Sequence, residues 1–426
     1  MTSGRKRTST SLRCAEPKAP LRPSVAGVCD SLCALDGPAA IFAKNSDRPS
    51  SEPQLVASFP ARASSLPVST QYLTIPGAAE HAVLLSRPDW LFGAEHGVNS
   101  AGVAIGNEKI FTIDDPASSP PGLIGMDLVR LGLERAGSAS DAVDVIGSLI
   151  ETYGQGGTAD LVTGEAYNSS FLICDPTEAW VVETSGRSWV AAAVHERTSI
   201  SNRISTNDAW ERSSAEIDPG SDFDLFRDPS RDTANADRRL AATRGFLERD
   251  GAVTLTTPLA ILRDHGGTPG RVTDAPIPPR CATAGHDGVM TVCMHLPGDK
   301  ATTSSMVAEL PRDSETPLLG MASIGSPCVM PFLPFTLPRT GASALFPRSL
   351  GEARLWHHGA LLRGAAESDA RFVTAVRSLI DPIESELHGR LEELHSDPTQ
   401  VATLIARADE LMGVFLADSL RLLRRQ

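Results

Sequence analysis

The stretch that most restricts how this chain can fold is residues 27–49, GVCDSLCALDGPAAIFAKNSDRP, because it reads as a reversal that returns charged groups to a cysteine. From Cys29 to Leu35 polar and apolar residues alternate, the pattern of a half-buried strand. Asp36, Gly37 and Pro38 supply the turn, since Asp and Gly tolerate the dihedrals of a tight reversal. Ala39 to Ala43 then form a returning apolar strand. At its end Lys44, Asn45, Ser46, Asp47 and Arg48 arrive near Cys29.

A thiol attacks a carbonyl only as thiolate, and a neighbouring amine, cation or general base is the usual means of removing its proton. If Cys29 is the first residue of the working protein, its own α-amine, with a reference pKa near ~8, can be that base. Lys44 and Arg48 then favour the thiolate, and Asp47 can hold the ammonium. The competing account is that Cys29 is a small buried hydrophobe in a hairpin.

Residues 29 to about 110 continue as short apolar runs broken by Gly, Pro and Ser, a meander of strands. Between two of them lies Trp90 to Asn99, read as a loop, whose Trp90, Glu95 and His96 suit a pocket wall or, equally, a cap on the core. Asn99 to Gly102 form a hairpin turn, and Val103 to Ile105 the strand that leaves it. From Gly125 to Thr152 the period becomes helical, with one helix ending near Gly137 and a second capped by Ser140. Strands are expected over Ser170 to Cys174, Ala179 to Glu183 and Trp189 to Val194. Residues 206–237 read as a surface excursion, and Arg238 to Leu247 and Pro258 to Asp264 as short helices. Strands over Val289 to Leu296 and Ser305 to Glu309 follow. The tail reads as helices over 355–380, 382–394 and 401–425, with apolar stripes facing a core.

Several of these segments together resemble the dipeptidase A and secernin family of cysteine N-terminal nucleophile hydrolases, and the tail is secernin-like. They are CDSLCAL and FAKNSDRP in the hairpin, SRPDWLFGAEHGVN (86–99), GVAIGNE (102–108) and GMDLVRLGLER (125–135). ETYGQGG (151–157), LRDHGGTP (262–269) and VCMHL (292–296) complete the pattern. The resemblance implies an α+β fold, an αββα sandwich with an added C-terminal helical segment. With it the chain divides into a disordered leader or propeptide over 1–28, read from its composition, a hydrolase domain over 29–345, and a helical segment over 346–426, read from its periodicity. In its terms Cys29 is the nucleophile, Asp47 its partner, Asn107 the oxyanion donor and Asn202 a second oxyanion or substrate-positioning group. Lys44, Arg48, Trp90, Glu95 and His96 are the candidates for holding substrate. Asn107 could instead simply end a strand, and His265 could border the site or serve only as a helix C-terminal histidine.

The activity implied is metal-independent hydrolysis of a small peptide or N-acyl amide, with no cofactor. A penicillin acylase type amidase and a secernin-like protein without enzymatic activity are the alternatives. A net charge of −13 over 426 residues argues against a nucleic-acid partner. No apolar run approaches the ~20 residues of a membrane helix. Seven scattered cysteines form neither a disulfide framework nor a zinc spacing, and a reducing, cytoplasmic setting fits them. Whether the chain forms a homo-oligomer is left open. Residues 1–28 carry Arg5, Lys6, Arg7, Arg13, Lys18 and Arg22 against Glu16, and we expect the working protein to begin at Cys29.

Overall fold

The hairpin that begins at Cys29 seeds the first of two stacked antiparallel sheets. The computed structural model describes residues 29–425 except 63–65, 267–289, 297, 370 and 395–396. In chain order the first half contains β1 (Asp30–Ala34), β2 (Ala39–Pro49), β3 (Gln54–Phe59), the short pair β4 (Val68–Ser69) and β5 (Thr74–Ile75), β6 (Val83–Pro88), β7 (His96–Asn99) and β8 (Ala104–Ile110). Helices α1 (Gly125–Arg135) and α2 (Ala139–Tyr153) follow, then β9 (Asn168–Cys174), β10 (Ala179–Ser185), β11 (Ser188–Val194), β12 (Arg197–Ile200) and β13 (Arg212–Ser213). The remainder is α3 (Ala234–Leu247), α4 (Pro258–Ile261), β14 (Lys300–Pro311), β15 (Leu318–Ile324), β16 (Leu333–Leu337), α5 (Ala353–Ser368), α6 (Arg371–Leu394) and α7 (Val401–Leu423).

One sheet has the order β12-β1-β2-β14-β15-β16, the other β13-β11-β10-β9-β8-β7-β6-β3. Alternation along the strands of the second sheet explains the layering. Leu84, Val98, Ala104 and Leu172 join the cluster that also holds Cys33, Phe42 and Met306 of the first sheet. Their neighbours Val83, Leu85, Ile105, Phe171 and Ile173 pack instead with Leu128, Leu131, Ile146 and Ile150 of α1 and α2. Each of these strands is therefore buried on both faces, one against the other sheet and one under helices. On the far side α3 lies on β1 and β12, while α6 and α7 lie on β16 and α5 touches β15 and β3. The layers run helix, sheet, sheet, helix. Leu333 and Phe335 of β16 share a cluster with Leu387, Leu391 and Phe415, so the C-terminal helices close the core.

Several local expectations change. The strand at Cys29 is buried throughout, not half-buried, because the second sheet covers one of its faces and α3 the other. β2 does not end at Lys44 but continues to Pro49 along β14, so the charged cluster is part of the strand. His96–Asn99 is a strand within the segment read as a loop. Of the strand expected over 289–296, only a bridge between His295 and Ala301 forms among the described residues. The carbonyl of Val292 goes instead to the Asn45 side chain, at 2.8 Å. Pro382 lies inside α6, and the break falls earlier, where the Asp369 carboxylate accepts the Arg371 backbone N–H at 3.0 Å.

Candidate active site

Cys29 sits just before β1, and the pairing Asp30 with Asn45 and Ser31 with Lys44 sets Asp47 beyond it on β2. The Asp47 backbone N–H donates to Cys29 Sγ at 3.3 Å, and the thiol faces the Asp47 carbonyl at 3.9 Å. The Cys29 nitrogen donates to Asn202 Oδ1 at 2.6 Å. Burial pushes the thiol up to about 12, with the Lys44 charge the largest opposing influence. A thiol held this way needs a base to give up its proton near neutrality.

Asp47 has two different carboxylate oxygens. Oδ1 accepts from Thr302 Oγ1 at 2.6 Å, whereas Oδ2 is buried without a hydrogen-bond partner. Thr302 is aimed there by an irregularity in β14, where the pairing with β2 shifts between Thr302 and Ser304. Burial raises this carboxyl well above the ordinary range. An α-ammonium on Cys29 is the kind of donor the orphaned oxygen lacks. Asn107, on β8, keeps its Nδ2 beside Met126 sulfur at 3.6 Å and Ser169 Oγ at 3.4 Å, both weak acceptors at those lengths. Its amide therefore has donor capacity to spare.

Asn202 lies just past β12, and its Nδ2 is committed to the Lys109 carbonyl at 2.9 Å. What it offers the site is Oδ1, which also accepts from Arg239 at 2.8 Å. Arg239, on α3, is paired with Asp30 at 3.0 Å, so a buried ion pair fixes the acceptor that holds the Cys29 nitrogen.

The five residues expected to hold substrate separate into two groups. Arg48 and Glu95 line a cavity with Cys29 and Asp47 and pair with each other at 3.2 Å. Trp90 is half-buried and reaches the cavity indirectly, its indole N–H donating to Glu52 at 2.6 Å while Glu52 also holds Arg48. Lys44 does not line it. Its Nζ, fully buried, is spent on the Asn107 carbonyl at 2.6 Å and on Glu108 at 3.0 Å, beneath the site. His96 does not line it either. It is fully buried between the sheets with neither ring nitrogen hydrogen-bonded, and burial holds it neutral. Both depart from the expectation because their strand positions point them into the inter-sheet layer, not at the strand end.

Sequence reasoning missed Tyr167, Lys109, Asp160 and Lys300, which complete the cavity wall. Tyr167 accepts from Arg48 at 3.1 Å. Lys109 is buried, paired with Glu165 at 2.5 Å, and brought down to about 7 by burial and then by Lys300. The cavity holds about 20 Å³. A larger one of about 670 Å³, bounded by β11, β12 and α3, is lined by no cysteine, so its size does not make it the site of a cysteine nucleophile.

The structure is thus an αββα sandwich with a cysteine held at the mouth of its first strand. Within it, the family model of peptidase family C69 matches residues 75–208, from the end of β5 past Asn202. The family expected from the sequence, which includes dipeptidase A and the secernins, is thus the one matched. Among solved structures, a mutant of conjugated bile acid hydrolase from Clostridium perfringens is 11% identical, covering 69% of this chain and 89% of its own, at a TM-score of 0.42. Penicillin V acylase from Agrobacterium tumefaciens is 12% identical over 74% and 90%, at 0.40. The Caenorhabditis elegans ortholog of N-acylethanolamine-hydrolyzing acid amidase is 10% identical over 67% and 95%, at 0.35. Likenesses this distant carry nothing about substrate or residue roles here.

Proposed function

We propose that the chain is a cysteine-dependent amide-bond hydrolase of the dipeptidase type, working from Cys29 as its first residue. The observation that carries this reading is the pairing of Cys29 with Asp47: a buried thiol that needs a base, beside a buried carboxylate oxygen that needs a donor. While a residue precedes Cys29 its nitrogen is a planar amide with no basic lone pair. Once the α-amine is free, it takes the thiol proton, and its ammonium supplies the donor that Asp47 Oδ2 lacks, with Asn202 Oδ1 orienting the same nitrogen.

The thiolate then attacks the substrate carbonyl carbon, and the oxyanion is held by Asn107 Nδ2 and backbone amides. A preorganised donor of this kind is worth ~3 to 4 kcal/mol of barrier. As the tetrahedral species collapses, the ammonium returns its proton to the leaving amine and a thioester forms on Cys29. Water, deprotonated by the same amine, hydrolyses the thioester and restores the thiol.

The cavity wall bears on substrate choice. Lys109 and Lys300 stand on it together with Asp160 and Glu95. Charges of both signs suit a zwitterionic dipeptide, whose carboxylate and ammonium lie on either side of one amide. An N-acyl amide presents an apolar acyl group that this wall does not match.

The test is a panel of free dipeptides, their N-acetylated forms and N-acyl amides, assayed with the intact protein and with Cys29→Ala and Cys33→Ala. Cys33 lies in the core against Cys174 and away from the cavity. We expect turnover of free dipeptides, none in Cys29→Ala and most of it retained in Cys33→Ala. Intact mass spectrometry of the active protein should give the mass of a chain beginning at Cys29. Full activity with residues preceding Cys29 still attached refutes the amine-base mechanism. Turnover of N-acyl amides alone makes the chain an acyl amidase, and no turnover of any amide favours a secernin-like non-enzymatic role.

A further inference from the structure

We propose that His265, Cys293, His295 and Cys328 form a structural zinc site that ties the C-terminal helices and the segment behind Asp47 to the two-sheet core. The four come from three separate places: the residues after α4, the segment leading into β14, and the loop between β15 and β16. One ligand atom from each lies within 4.8 Å of every other. His295 Nε2 is 3.4 Å from Cys328 Sγ and 3.6 Å from Cys293 Sγ. A tetrahedral zinc with Zn–S of ~2.3 Å and Zn–N of ~2.0 Å has S···N edges of about 3.5 Å. The two imidazoles meet edge to face at 5.1 Å, so that both rings can point a nitrogen at one centre without stacking.

Burial and charge agree with a closed site. Cys293 and Cys328 are almost wholly excluded from solvent, at 0% and 2% exposed, and the His295 side chain at 1%. Two thiolates neutralise a divalent cation, so the loaded cluster carries no net charge into the core. Four protein ligands leave no position open for water, which is the arrangement of a structural zinc and not of a catalytic one. The sulfur and imidazole mixture selects zinc over calcium or magnesium.

The surroundings have the form that metal-bound histidines require. His295 Nδ1 lies 3.2 Å from Glu367 Oε1 on α5, and Glu367 is in turn 3.5 Å from Arg363. A carboxylate on Nδ1 keeps the proton there and turns the Nε2 lone pair toward the sulfurs. Through Glu367 the site reaches the C-terminal helices. It reaches the nucleophile by another route. Met294, between two ligands, donates its N–H to Thr302 Oγ1 at 2.8 Å, and that hydroxyl donates to Asp47 Oδ1 at 2.6 Å. Ser326, two residues before Cys328, holds the Thr302 carbonyl at 2.9 Å. The metal therefore positions Asp47 without touching substrate.

The test is elemental analysis of the full-length protein purified without chelator under reducing conditions. About one zinc per chain is expected, falling at least about tenfold in Cys328→Ser and in His295→Ala. Because those variants could misfold, the unaltered protein is also stripped with chelator and given cobalt(II). A tetrahedral thiolate site then shows strong visible bands together with sulfur-to-cobalt charge transfer at one equivalent, and zinc abolishes them. The melting temperature of the stripped protein should fall and recover on adding zinc. A folded, monodisperse protein that is metal-free as purified and gives no cobalt–thiolate spectrum overturns the proposal. So does a Cys293–Cys328 disulfide in freshly purified, non-reduced protein.

Discussion

Asp47 shows what a single side chain contributes at this site. Its Oδ1 is held by Thr302 and its Oδ2 is held by nothing in the described structure, so Asn at this position keeps the shape and the Thr302 bond and loses the charge. We expect Asp47→Asn to lower kcat about a hundredfold or more while moving the melting temperature little, since acid-base components commonly contribute 10²–10⁴-fold. A variant that melts much earlier and keeps its turnover would make Asp47 structural. Lys109 makes a pH prediction. Its ordinary value of 10.5 is lowered to about 7 in the folded protein, so it is positive below about 7 and loses that charge as pH rises through it. If it binds the substrate carboxylate, kcat/KM for free dipeptides falls above about pH 7. That falling limb should be absent in Lys109→Met, where the value at low pH is already reduced. Cys29 and Asp47 were legible in the sequence because one hairpin carries both. Arg239, Tyr167, Lys109, Asp160 and Lys300 were not, since sheet order and helix docking bring them from 80 to 271 residues away in the chain. The four proposed zinc ligands were invisible for the same reason: they are split among positions 265, 293, 295 and 328, and match no ligand spacing.

At the level of elements, the close approach of β8 to the hairpin depends on Gly106. A Cβ there would come within 2.5 Å of Lys44 Cδ and 2.9 Å of Ser31 Oγ. Neither can retreat easily, because Lys44 is tied to Asn107 and Glu108, and Ser31 donates to the same Glu108 oxygen. Gly106→Ala should destabilise the fold by about 1–3 kcal/mol in urea unfolding, the usual cost of overpacking a filled core. It should also lower activity, since the Asn107 carbonyl that Lys44 holds belongs to the next residue. An alanine variant as stable as the parent would show that the sheets have room to part. The hairpin, the helices α1 and α2 and the strands β9 to β11 were readable from period alone, because each has its own local pattern. What period could not reveal was the end of β2. A strand sandwiched between two layers can hold Lys44, Asp47 and Arg48 internally, as long as Glu108, Thr302 and Glu52 meet them. Sequence reasoning ended the strand where charge began, which is the right rule for an exposed sheet and the wrong one for this interior.

For the whole molecule, the question is whether the C-terminal helices are an addition or a component of the core. The Glu384 carboxylate of α6 accepts the Phe332 backbone N–H at 2.8 Å and pairs with Arg263, which lies close to His265 in the chain and also donates to the Pro327 carbonyl at 2.8 Å. All of this lies within the core that Phe335, Leu391 and Phe415 close. Removing one partner of a buried pair leaves the other charge uncompensated, a loss of roughly 3–5 kcal/mol. Glu384→Ala should therefore lower stability by about that amount, although Glu384 sits on a helix far along the chain from Cys29. A chain ending at residue 345 exposes the apolar faces of β15 and β16 and loses Glu367 beside His295, and we expect it to aggregate or to unfold at low denaturant. The outcome is read by circular dichroism and by size-exclusion chromatography. A soluble, cooperatively folding 29–345 fragment that still cleaves dipeptides would make the helices an appendage. An insoluble fragment, together with the Glu384→Ala loss in the full chain, would place the boundary of the folding unit at the end of α7 and not at residue 345.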